Sequence, residues 1–422
     1  MRRKLRRRLA AAGFFFFLVA LSLPQLAIVL NFPEEVRLLP GQRLDLDVGP
    51  LFTLSALPPP DAGLGEEPIL GAPEGAGYQV ELRFLGLVPV QEARVNIVPE
   101  LHVVPGGHAI GILLNGEGVL VERTVPVASQ SGRPYSPAEE AGIRPGDVIL
   151  RAAGTPVSHP AELEALVDRY GRSGLLLPLD IRRGGRELRV QVRPELSREP
   201  GGAASRYMLG LYLKDPAAGV GTLTFWDPVR NVYGALGHMI SGDLGAVLEN
   251  EGRIVPAHIH GIQPGERGRP GEKLGIFEAG PPLGTIEKNT NFGIFGTLLR
   301  APGPSQPVVP VALAHEVRQG DAQILTVVEG GRVETFHVRV VSVQRQAKPS
   351  GKGLVIEVTD PRLIERTNGI VQGMSGSPIL QDGKLIGAVT HVFINNPLRG
   401  YGVLAEWMVY EAGLGAGGEE AA

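Results

Sequence analysis

Gly373-Met-Ser-Gly-Ser-Pro378 joins two short apolar runs and places two serines in a glycine-rich turn. Glycines at 373 and 376 allow a tight turn, because glycine adopts positive φ angles at little cost. In such a turn the N–H groups of Gly373 and Ser375 can point at one spot and hold an oxyanion. The stretch therefore predicts a nucleophilic serine, provided that a histidine lies within reach. The alternative interpretation is a β-turn that only connects two strands.

The composition predicts a mostly β protein. The chain has 422 residues, which suggests two to three domains, and its 58 glycines and 36 prolines indicate many turns and short strands. There are no cysteines, which excludes thiol catalysis, disulfides and thiolate metal sites. Six of the first eight residues are Arg or Lys, so the rest of the chain carries a formal charge of −9. That balance disfavours a nucleic-acid partner.

Residues 1–30 are typical of a membrane-targeting segment. The basic cluster precedes an apolar run that extends from Leu9 to Leu30 with one interruption at Pro24 and Gln25. Positive charge before an apolar run keeps the N-terminus in the cytoplasm and exports the chain beyond the run. We expect a membrane anchor through residues 9–30 that is retained at least at first. A cleaved signal peptide is the alternative.

Residues 31–98 contain short alternating runs and are predicted to form a small β region. The segment Tyr78–Phe84 alternates apolar and polar residues with a period of two, as a half-buried strand does. Residues 57–77 are rich in Pro, Gly, Ala and Glu and are predicted to be a loop. No residue in this region suggests chemistry.

Residues 99–196 show strands, a short helix, a second helix and a hairpin in an order that resembles a PDZ domain. The most specific segment is Ser136-Pro-Ala-Glu-Glu-Ala-Gly-Ile-Arg-Pro-Gly-Asp-Val-Ile149. PDZ domains bind an extended peptide by strand addition between a strand and a helix. The resemblance implies a groove between Gly111–Leu114 and the helix that begins near Ala161, with peptide contacts from Ile110, Gly111 and Ile112. A PDZ fold whose groove is occluded is the alternative.

Residues 207–414 contain many short β-branched runs and few helix signals, which predicts one or two β-barrels. We place a Gly/Ala/Ser linker at 197–206 before this domain and a frayed tail at 415–422 after it. The expected architecture is therefore mainly β: a membrane segment, a small β region, a PDZ-like α+β domain and a β-barrel domain.

A serine nucleophile needs a general base, most often histidine, and an acid that orients it. His238 follows Ala235-Leu-Gly237 like a residue aimed into a cleft, and His391, shortly after the serine turn, is its rival. His258 and His260 lie on one strand face and suggest a metal pair, but no third ligand is near in the sequence. The remaining histidines of this region are His315 and His337.

Asp360 is the leading candidate for the acid. It follows the apolar strand Leu354–Val358 and precedes Pro361, so it can reach into a site from rigid support. The same position suits a helix N-cap, because a proline often follows the cap at the first helical position. Asp243 and Asp321, in glycine-flanked turns, are alternatives.

Several longer motifs make the chain similar to the SpoIVB family, the serine peptidases called stage-four sporulation protein B of endospore-forming bacteria. The resemblance runs from about Val103 to Gly413. Its motifs are Gly234-Ala-Leu-Gly-His-Met-Ile240, Pro270-Gly-Glu-Lys-Leu274, Phe292-Gly-Ile-Phe-Gly-Thr297, Thr359-Asp-Pro-Arg-Leu363, Gly369–Ile379 and Gly387-Ala-Val-Thr-His-Val-Phe393.

The resemblance implies a chymotrypsin-like β-barrel serine endopeptidase whose triad is His238, Asp360 and Ser375. Gly373 and Ser375 would supply the oxyanion hole, and no cofactor or metal is expected. It further implies export into the space between forespore and mother-cell membranes and cleavage of the chain itself. Its substrate there would be a membrane-bound regulator of an intramembrane protease that activates a late sigma factor.

Two other functions fit parts of the sequence. A peptide-binding scaffold with an inactive peptidase domain would not cleave itself. A quality-control protease of the trypsin-like type with PDZ domains usually carries them after the peptidase, whereas here the PDZ-like region precedes the serine domain.

Overall fold

The computed structural model describes residues 26–57, 77–116, 118–128, 134–197, 206–214, 217–240, 248–278, 280–303, 306–344, 346 and 348–415. Within these ranges no helix combines the length and apolarity needed to cross a membrane. The predicted membrane segment falls mostly on residues 1–25, outside the described residues. The same holds for nearly all of the predicted linker and tail. The prediction of a mainly β protein with a PDZ domain and a C-terminal β-barrel is confirmed.

A small sheet forms the N-terminal region, in the spatial order β1-β4-β3-β2 with β1 parallel to β4. Alternating residues of β3 and β4 face inward, so Leu82 and Val95 are fully buried. Leu85 and Gly86, both at positive φ, are the central residues of the turn between these two strands, in which the Leu87 N–H donates to the Phe84 carbonyl at 3.1 Å. The strands are β1 (Glu35–Leu38), β2 (Phe52–Leu57), β3 (Gly77–Phe84) and β4 (Val88–Ile97).

The chain then begins a second, larger sheet with two strands and leaves it for an inserted domain. The two strands are β5 (His102–Pro105) and β6 (Ala109–Gly116). The insert consists of β7 (Val119–Thr124), β8 (Val127–Ala128), β9 (Pro134–Tyr135), α1 (Pro137–Glu140), β10 (Val148–Ala152), β11 (Thr155–Pro156), α2 (Pro160–Arg172), β12 (Leu177–Arg183), β13 (Arg186–Val192), β14 (Glu195–Ser197), β15 (Arg206–Met208) and β16 (Leu211–Lys214).

The predicted helix and hairpin of the insert are confirmed. Helix α2 starts at Pro160 and buries Leu163 and Val167 against the insert's own core. The hairpin between β12 and β13 turns at Gly184 and Gly185, both at positive φ. The main sheet has the order β13-β12-β10-β7-β16.

The second sheet resumes after the insert. Its order is β20-β19-β6-β17-β18-β23-β22, with β21 on β19, β5 on β17 and β24 on β5. The added strands are β17 (Ala217–Trp226), β18 (Val232–Ala235), β19 (Leu248–Gln263), β20 (Glu272–Phe277), β21 (Gly284–Ile286), β22 (Lys288–Thr290), β23 (Gly293–Thr297) and β24 (Val309–Pro310).

This topology corrects the predicted boundary between the PDZ-like region at 99–196 and the β-barrel region at 207–414. Strands β5 and β6 belong to the second sheet, where β6 pairs with β17 and β19. The PDZ domain therefore starts at β7 and ends with β16, inserted between two paired strands of the same sheet. The sequence did not reveal this, because pairing between residues about a hundred positions apart leaves no local pattern.

The C-terminal region is a closed barrel with the order β25-β26-β27-β30-β29-β28. A 3₁₀ helix at Ala314–Glu316 precedes it. Its interior is aliphatic, with Ile324, Ile356 and Val389 fully buried around Phe336. Its elements are β25 (Gly320–Val327), β26 (Val333–Val343), β27 (Leu354–Val358), α3 (Pro361–Thr367), β28 (Pro378–Gln381), β29 (Lys384–Phe393), β30 (Asn396–Leu404) and α4 (Ala405–Glu411).

An arginine of the N-terminal sheet packs against α4 beside the barrel. The Arg37 guanidinium lies 3.0 Å from the buried Glu406 carboxylate and 3.8 Å above the Tyr410 ring on α4. Burial raises the pKa of Glu406, while the Ala314 N–H and Arg37 oppose that shift. Removing one partner of such a pair leaves a buried polar group uncompensated. Arg37 thus fixes the N-terminal region to α4. None of the candidate catalytic residues takes part in this contact.

Candidate active site

The turn that carries Ser375 has the conformation that its glycines predict. Gly373 has φ +89° and Gly376 has φ +91°. A Cβ at 376 would lie 2.1 Å from the Thr222 carbonyl oxygen, so only glycine fits there. Ser375 is partly exposed, whereas Ser377 has no exposed surface. Of the two serines, only Ser375 can therefore meet a substrate.

Two N–H groups of the turn are available to an oxyanion. Within the described residues, neither the Gly373 N–H nor the Ser375 N–H donates a hydrogen bond. The Gly373 carbonyl points the other way and accepts from the Thr222 hydroxyl at 2.8 Å. Two free donors on one turn, with the intervening peptide held in place, are what an oxyanion hole requires.

The turn is held from the second sheet by alternate residues of β17. The Thr224 hydroxyl donates to the Gly376 carbonyl at 2.8 Å, and the Thr222 N–H donates to the Ser375 carbonyl at 3.0 Å. Both threonine side chains are fully buried. Residues two apart on a strand share one face, so this face of β17 supports the serine turn of the barrel.

The Ser375 hydroxyl itself donates to the Thr390 carbonyl on β29 at 2.7 Å. It therefore does not donate to an imidazole in this conformation. Thr390 also borders the histidine loop, because a Cβ at Gly237 would lie 2.9 Å from the Thr390 Cγ2 atom. The serine and the histidine loop thus meet at the same segment of β29.

His238 stands on the loop that leaves β18. Leu236 and Gly237 both have positive φ, which turns the chain sharply before the histidine. The His238 Nδ1 atom lies 2.9 Å from the Met239 carbonyl oxygen. The Asn289 side chain fixes the loop by bonding both the N–H and the carbonyl of Ile240 at 2.9 Å. A ring held through Nδ1 leaves Nε2 for a proton exchange with serine.

His391 lies beside His238 and was its rival in the sequence. The two ring centroids are 4.8 Å apart. Burial lowers the pKa of His238, and the Met239 carbonyl partly opposes this shift. Burial, the His238 ring and Lys352 lower the pKa of His391. Both imidazoles are therefore biased toward the neutral form that a general base needs.

Asp360 has the contacts of a helix cap. Its carboxylate accepts from the Arg362 N–H at 3.0 Å, from the Arg362 guanidinium at 2.9 Å and from the His337 N–H at 3.2 Å. Among the contacts of the described residues, none joins a carboxylate to His238. The structure thus brings His238 and Ser375 to one region and gives Asp360 the N-cap position of α3. The triad role of Asp360 stays a prediction.

We expect Asp360→Asn to lower the free energy of unfolding by roughly 1–2 kcal/mol at neutral pH. The Arg362 guanidinium, with the His337 and Arg362 N–H groups, lowers the pKa of Asp360 from 3.8 to about 2. Because the folded pKa is the lower one, this stability is present above the unfolded pKa and is lost as the pH falls through about 2. Urea unfolding across acid pH measures it. A pH dependence shared by the variant and the native chain would contradict the assignment.

The predicted PDZ contacts Ile110, Gly111 and Ile112 are not in a groove. They lie in the middle of β6, whose two edges are occupied by β17 and β19. A strand paired on both sides cannot accept a peptide by strand addition. The sequence prediction was wrong because a Gly-containing turn followed by an apolar strand begins both a PDZ domain and this sheet.

The insert offers another edge for a peptide. β16 pairs with β7 on one side, and within the described residues no strand pairs with its other side. Gly210, at φ +75°, turns the chain into β16. Leu211 and Leu213 pack on the same core as Leu163 and Val167 of α2, and β15, which leads into β16, contacts α2. A strand edge beside a helix is the geometry of PDZ recognition.

The remaining histidines do not form a metal centre in the described part of the chain, where no three potential ligands lie together. His258 pairs with Glu278 on the surface.

Sequence reasoning missed Thr222, Thr224 and Asn289, which hold the site without taking part in a recognisable motif. Only the alternation of Thr222 and Thr224 on an apolar strand hinted that two hydroxyls face inward.

Comparisons with known proteins find a peptidase family and a PDZ domain in this chain. Residues 205–409 match the family described as SpoIVB peptidase S55, and residues 130–183 match a PDZ domain. The first match contains His238, Asp360 and Ser375, and the second lies within the insert. Over 84 residues the chain is 40% identical to HhoA of Synechocystis sp., named as a serine protease. That match covers 20% of this chain, and the chain spans only 19% of the length of HhoA.

Two solved structures also match, at 15% identity and over 46% of this chain. They are the active and inactive forms of the Rv3671c protease from M. tuberculosis. The matches cover 73% and 84% of those chains, each with a TM-score of 0.26.

Proposed function

Because the chain belongs, through residues 205–409, to the SpoIVB peptidase S55 family, we propose that it is an exported sporulation endopeptidase. It cleaves itself and a membrane-bound regulator of an intramembrane protease, and so contributes to the activation of a late sigma factor. The observation that carries the catalytic part is the glycine turn at 373–376, which combines an accessible serine with two unpaired N–H groups. The sporulation role is supported by the family match alone.

In the proposed reaction, Ser375 Oγ attacks the peptide carbonyl carbon and His238 takes the hydroxyl proton. The N–H groups of Gly373 and Ser375 stabilise the oxyanion. His238 then gives the proton to the leaving amine, which breaks the C–N bond and leaves an acyl-enzyme. Water, deprotonated by His238, hydrolyses this ester and restores Ser375. The reaction is supported by the position of Ser375, which bonds Thr390 on β29, and by Gly237, the neighbour of His238, which lies against the same Thr390.

The described conformation requires side chains to rearrange before attack. The Ser375 hydroxyl has to rotate away from the Thr390 carbonyl toward His238. Such a rotation about χ1 changes only the side chain, and catalytic hydrogen bonds are often unformed without substrate. For Asp360 to complete the triad, its carboxylate has to exchange bonds with Arg362 for a bond to His238. The family-like motif Thr359–Leu363 supports a triad role for Asp360. The bonds of Asp360 to Arg362 and His337 support its role as the N-cap of α3.

The PDZ domain is proposed to bind an extended peptide along the free edge of β16. Tyr212, about half exposed on that strand, would lie beside the peptide. β17 follows β16 in the chain and carries Thr222, which bonds the serine turn. The proposed peptide-binding strand therefore directly precedes, along the chain, the strand that supports the catalytic serine.

Export and early membrane attachment are proposed from the sequence. The basic cluster at the start of the chain and the apolar run to Leu30 support an anchor. The peptidase and the exposed part of its substrate would then lie on the same side of the forespore membrane. Cleavage of the chain near its own N-terminal region would release it from the anchor.

Self-cleavage tests the proposal. We expect intact mass spectrometry of the purified exported region to show time-dependent loss of an N-terminal segment. A serine-directed fluorophosphonate should stop this loss, because it phosphonylates the nucleophile and releases fluoride. Trimming that continues unchanged in the inhibited protein would contradict a serine mechanism and indicate a contaminating protease.

A scaffold with an inactive peptidase domain is the second candidate. The observation that favours it is the described conformation, in which Ser375 bonds Thr390 and Asp360 bonds Arg362. A scaffold would bind peptides through β16 without cleaving them and would not react with a fluorophosphonate. The quality-control protease is distinguished by broad degradation of unfolded proteins, which a regulatory peptidase should not show.

A further inference from the structure

A lysine is fully buried behind the serine turn. Lys273, the first inward-facing residue of β20, has 1% of its surface exposed. Its Nζ atom bonds the Thr326 hydroxyl at 2.8 Å. Among the described residues no carboxylate pairs with it. Burying a lysine without an acid is costly in folding free energy, because burial disfavours its charged form. Its presence here therefore calls for a function.

The lysine is linked to the turn by a second hydroxyl. Ser377 Oγ donates to the same Thr326 oxygen at 3.0 Å, so Lys273, Thr326 and Ser377 form a buried polar chain. Thr326 and Ser377 are both fully buried. Ser377 lies two residues after the nucleophile, and no substrate can reach it. This chain ends in the turn and is separate from the reacting atoms.

The lysine stem also packs against the oxyanion hole. A Cβ built at Gly373 would lie 3.1 to 3.3 Å from the Cβ, Cγ and Cδ atoms of Lys273. The main chains are joined as well, since the Lys273 N–H donates to the Gln372 carbonyl at 2.9 Å and the Gln372 N–H to the Gly271 carbonyl at 2.7 Å. The start of β20, in the second sheet, therefore lies directly behind Gly373, in the barrel.

We propose that Lys273 is a positioning residue for the oxyanion hole, acting through its contact with Gly373 and through Thr326 on Ser377. The inference rests on the proposed peptidase function of Ser375. It deepens that function by assigning a role to the buried polar chain outside the triad. Lys273 touches neither substrate nor His238, so it sets the geometry of the turn without entering the reaction.

The ionisation of Lys273 gives this role a pH dependence. Burial lowers its pKa from 10.5 to about 7. The groups that face it are the Thr326 hydroxyl on β25 and, beyond it, the Ser377 hydroxyl of the turn, while its neighbour Glu272 is exposed to solvent. Below about pH 7 an ammonium without an acidic partner lies at the Thr326 hydroxyl, at the end of the lysine stem that packs on Gly373. We expect this charge to displace the turn and slow catalysis.

The test is the second-order rate constant for fluorophosphonate labelling, measured from about pH 5 to about pH 9. Lys273→Met keeps an unbranched apolar stem and removes the amine. We expect it to label roughly tenfold to a hundredfold more slowly at pH 8, as a small misplacement of the turn would cause. Lys348→Met, at an exposed lysine paired with Glu34, should label like the native chain.

The pH profile separates positioning from mere packing. In the native chain both Lys273 and His238 must be neutral, so the logarithm of the rate should fall at low pH with a slope approaching two. In Lys273→Met the slope should be one and the acid limb should move below pH 6.5, where the pKa of His238 lies because of burial. A purely structural lysine would change the rate but leave the shape of the profile unchanged.

Labelling of the native chain and of the variants gives distinguishable outcomes. If the native chain does not label, the proposed function fails. If it labels and folded Lys273→Met shows the native rate and profile, the function stands and the role of Lys273 is overturned. Should Lys273→Met not fold, Ser377→Ala decides, because it cuts the chain at its other end and keeps the lysine. A several-fold slower rate that keeps the acid limb of slope two supports the proposal, because Lys273 and its contact with Gly373 remain in this variant. A native rate, or an acid limb of slope one, overturns it.

Discussion

Ser375→Ala is expected to lower kcat for peptide cleavage by about 10⁶-fold, the usual effect of removing a serine nucleophile. The fold should remain, because the lost hydroxyl makes one bond, to the Thr390 carbonyl. Such a bond contributes about 1 kcal/mol. Alanine also fits the turn, whose positive φ angles lie at Gly373 and Gly376. Initial rates on a peptide substrate, with a thermal melt of each protein, measure both effects.

Ser377→Ala is the matched control for this prediction. It removes a hydroxyl two residues away that is fully buried and bonds Thr326. We expect it to keep measurable cleavage, reduced only several-fold. If Ser377→Ala were the inactive variant and Ser375→Ala the active one, the assignment of the nucleophile would be reversed.

His238→Ala is expected to reduce kcat nearly as much as the serine variant, because the two residues act as a unit. His391→Ala should cost less than about a hundredfold. The reason is placement: His238 is fixed through Met239 and by the Asn289 brace on Ile240, whereas within the described residues no hydrogen bond holds the His391 ring. Peptidase assays of both variants at pH 8 compare the two imidazoles directly.

His391 defines the result that would contradict this prediction. The rings of His238 and His391 are 4.8 Å apart, so either could approach the Ser375 hydroxyl after a rotamer change. A His391→Ala protein that is inactive beside an active His238→Ala protein would make His391 the general base. Circular dichroism of each variant shows whether a lost activity reflects a lost fold.

The serine turn was predictable because its determinants are local. Gly373, Ser375 and Gly376 specify the turn by their own backbone preferences, and the structure adds only their exposure and the free N–H groups. His238 required the family motif, since several histidines suited a base. For Asp360, both interpretations of the Asp-Pro pair were visible in the sequence, and the structure shows the contacts of the cap.

The parts that could not be predicted depend on pairing across the chain. Ile110–Ile112 form a strand in either fold, and only the distant partners β17 and β19 decide which sheet it joins. Lys273 alternates with Gly275 and Phe277 and so faces inward, but nothing local shows that Thr326 and Gly373 surround it. Supports that cross from one sheet to another leave no spacing in the sequence.

The most direct test of the central claim is to locate the fluorophosphonate adduct by tandem mass spectrometry. Trypsin releases residues 367–384 as one peptide, because Arg366 and Lys384 bound it and no Lys or Arg lies between them. This peptide holds both serines of the turn. We predict that the phosphonyl group is on Ser375 and that Ser375→Ala carries none. An adduct on Ser377, or self-cleavage that continues in protein fully phosphonylated on Ser375, would contradict the assignment of Ser375 as the nucleophile.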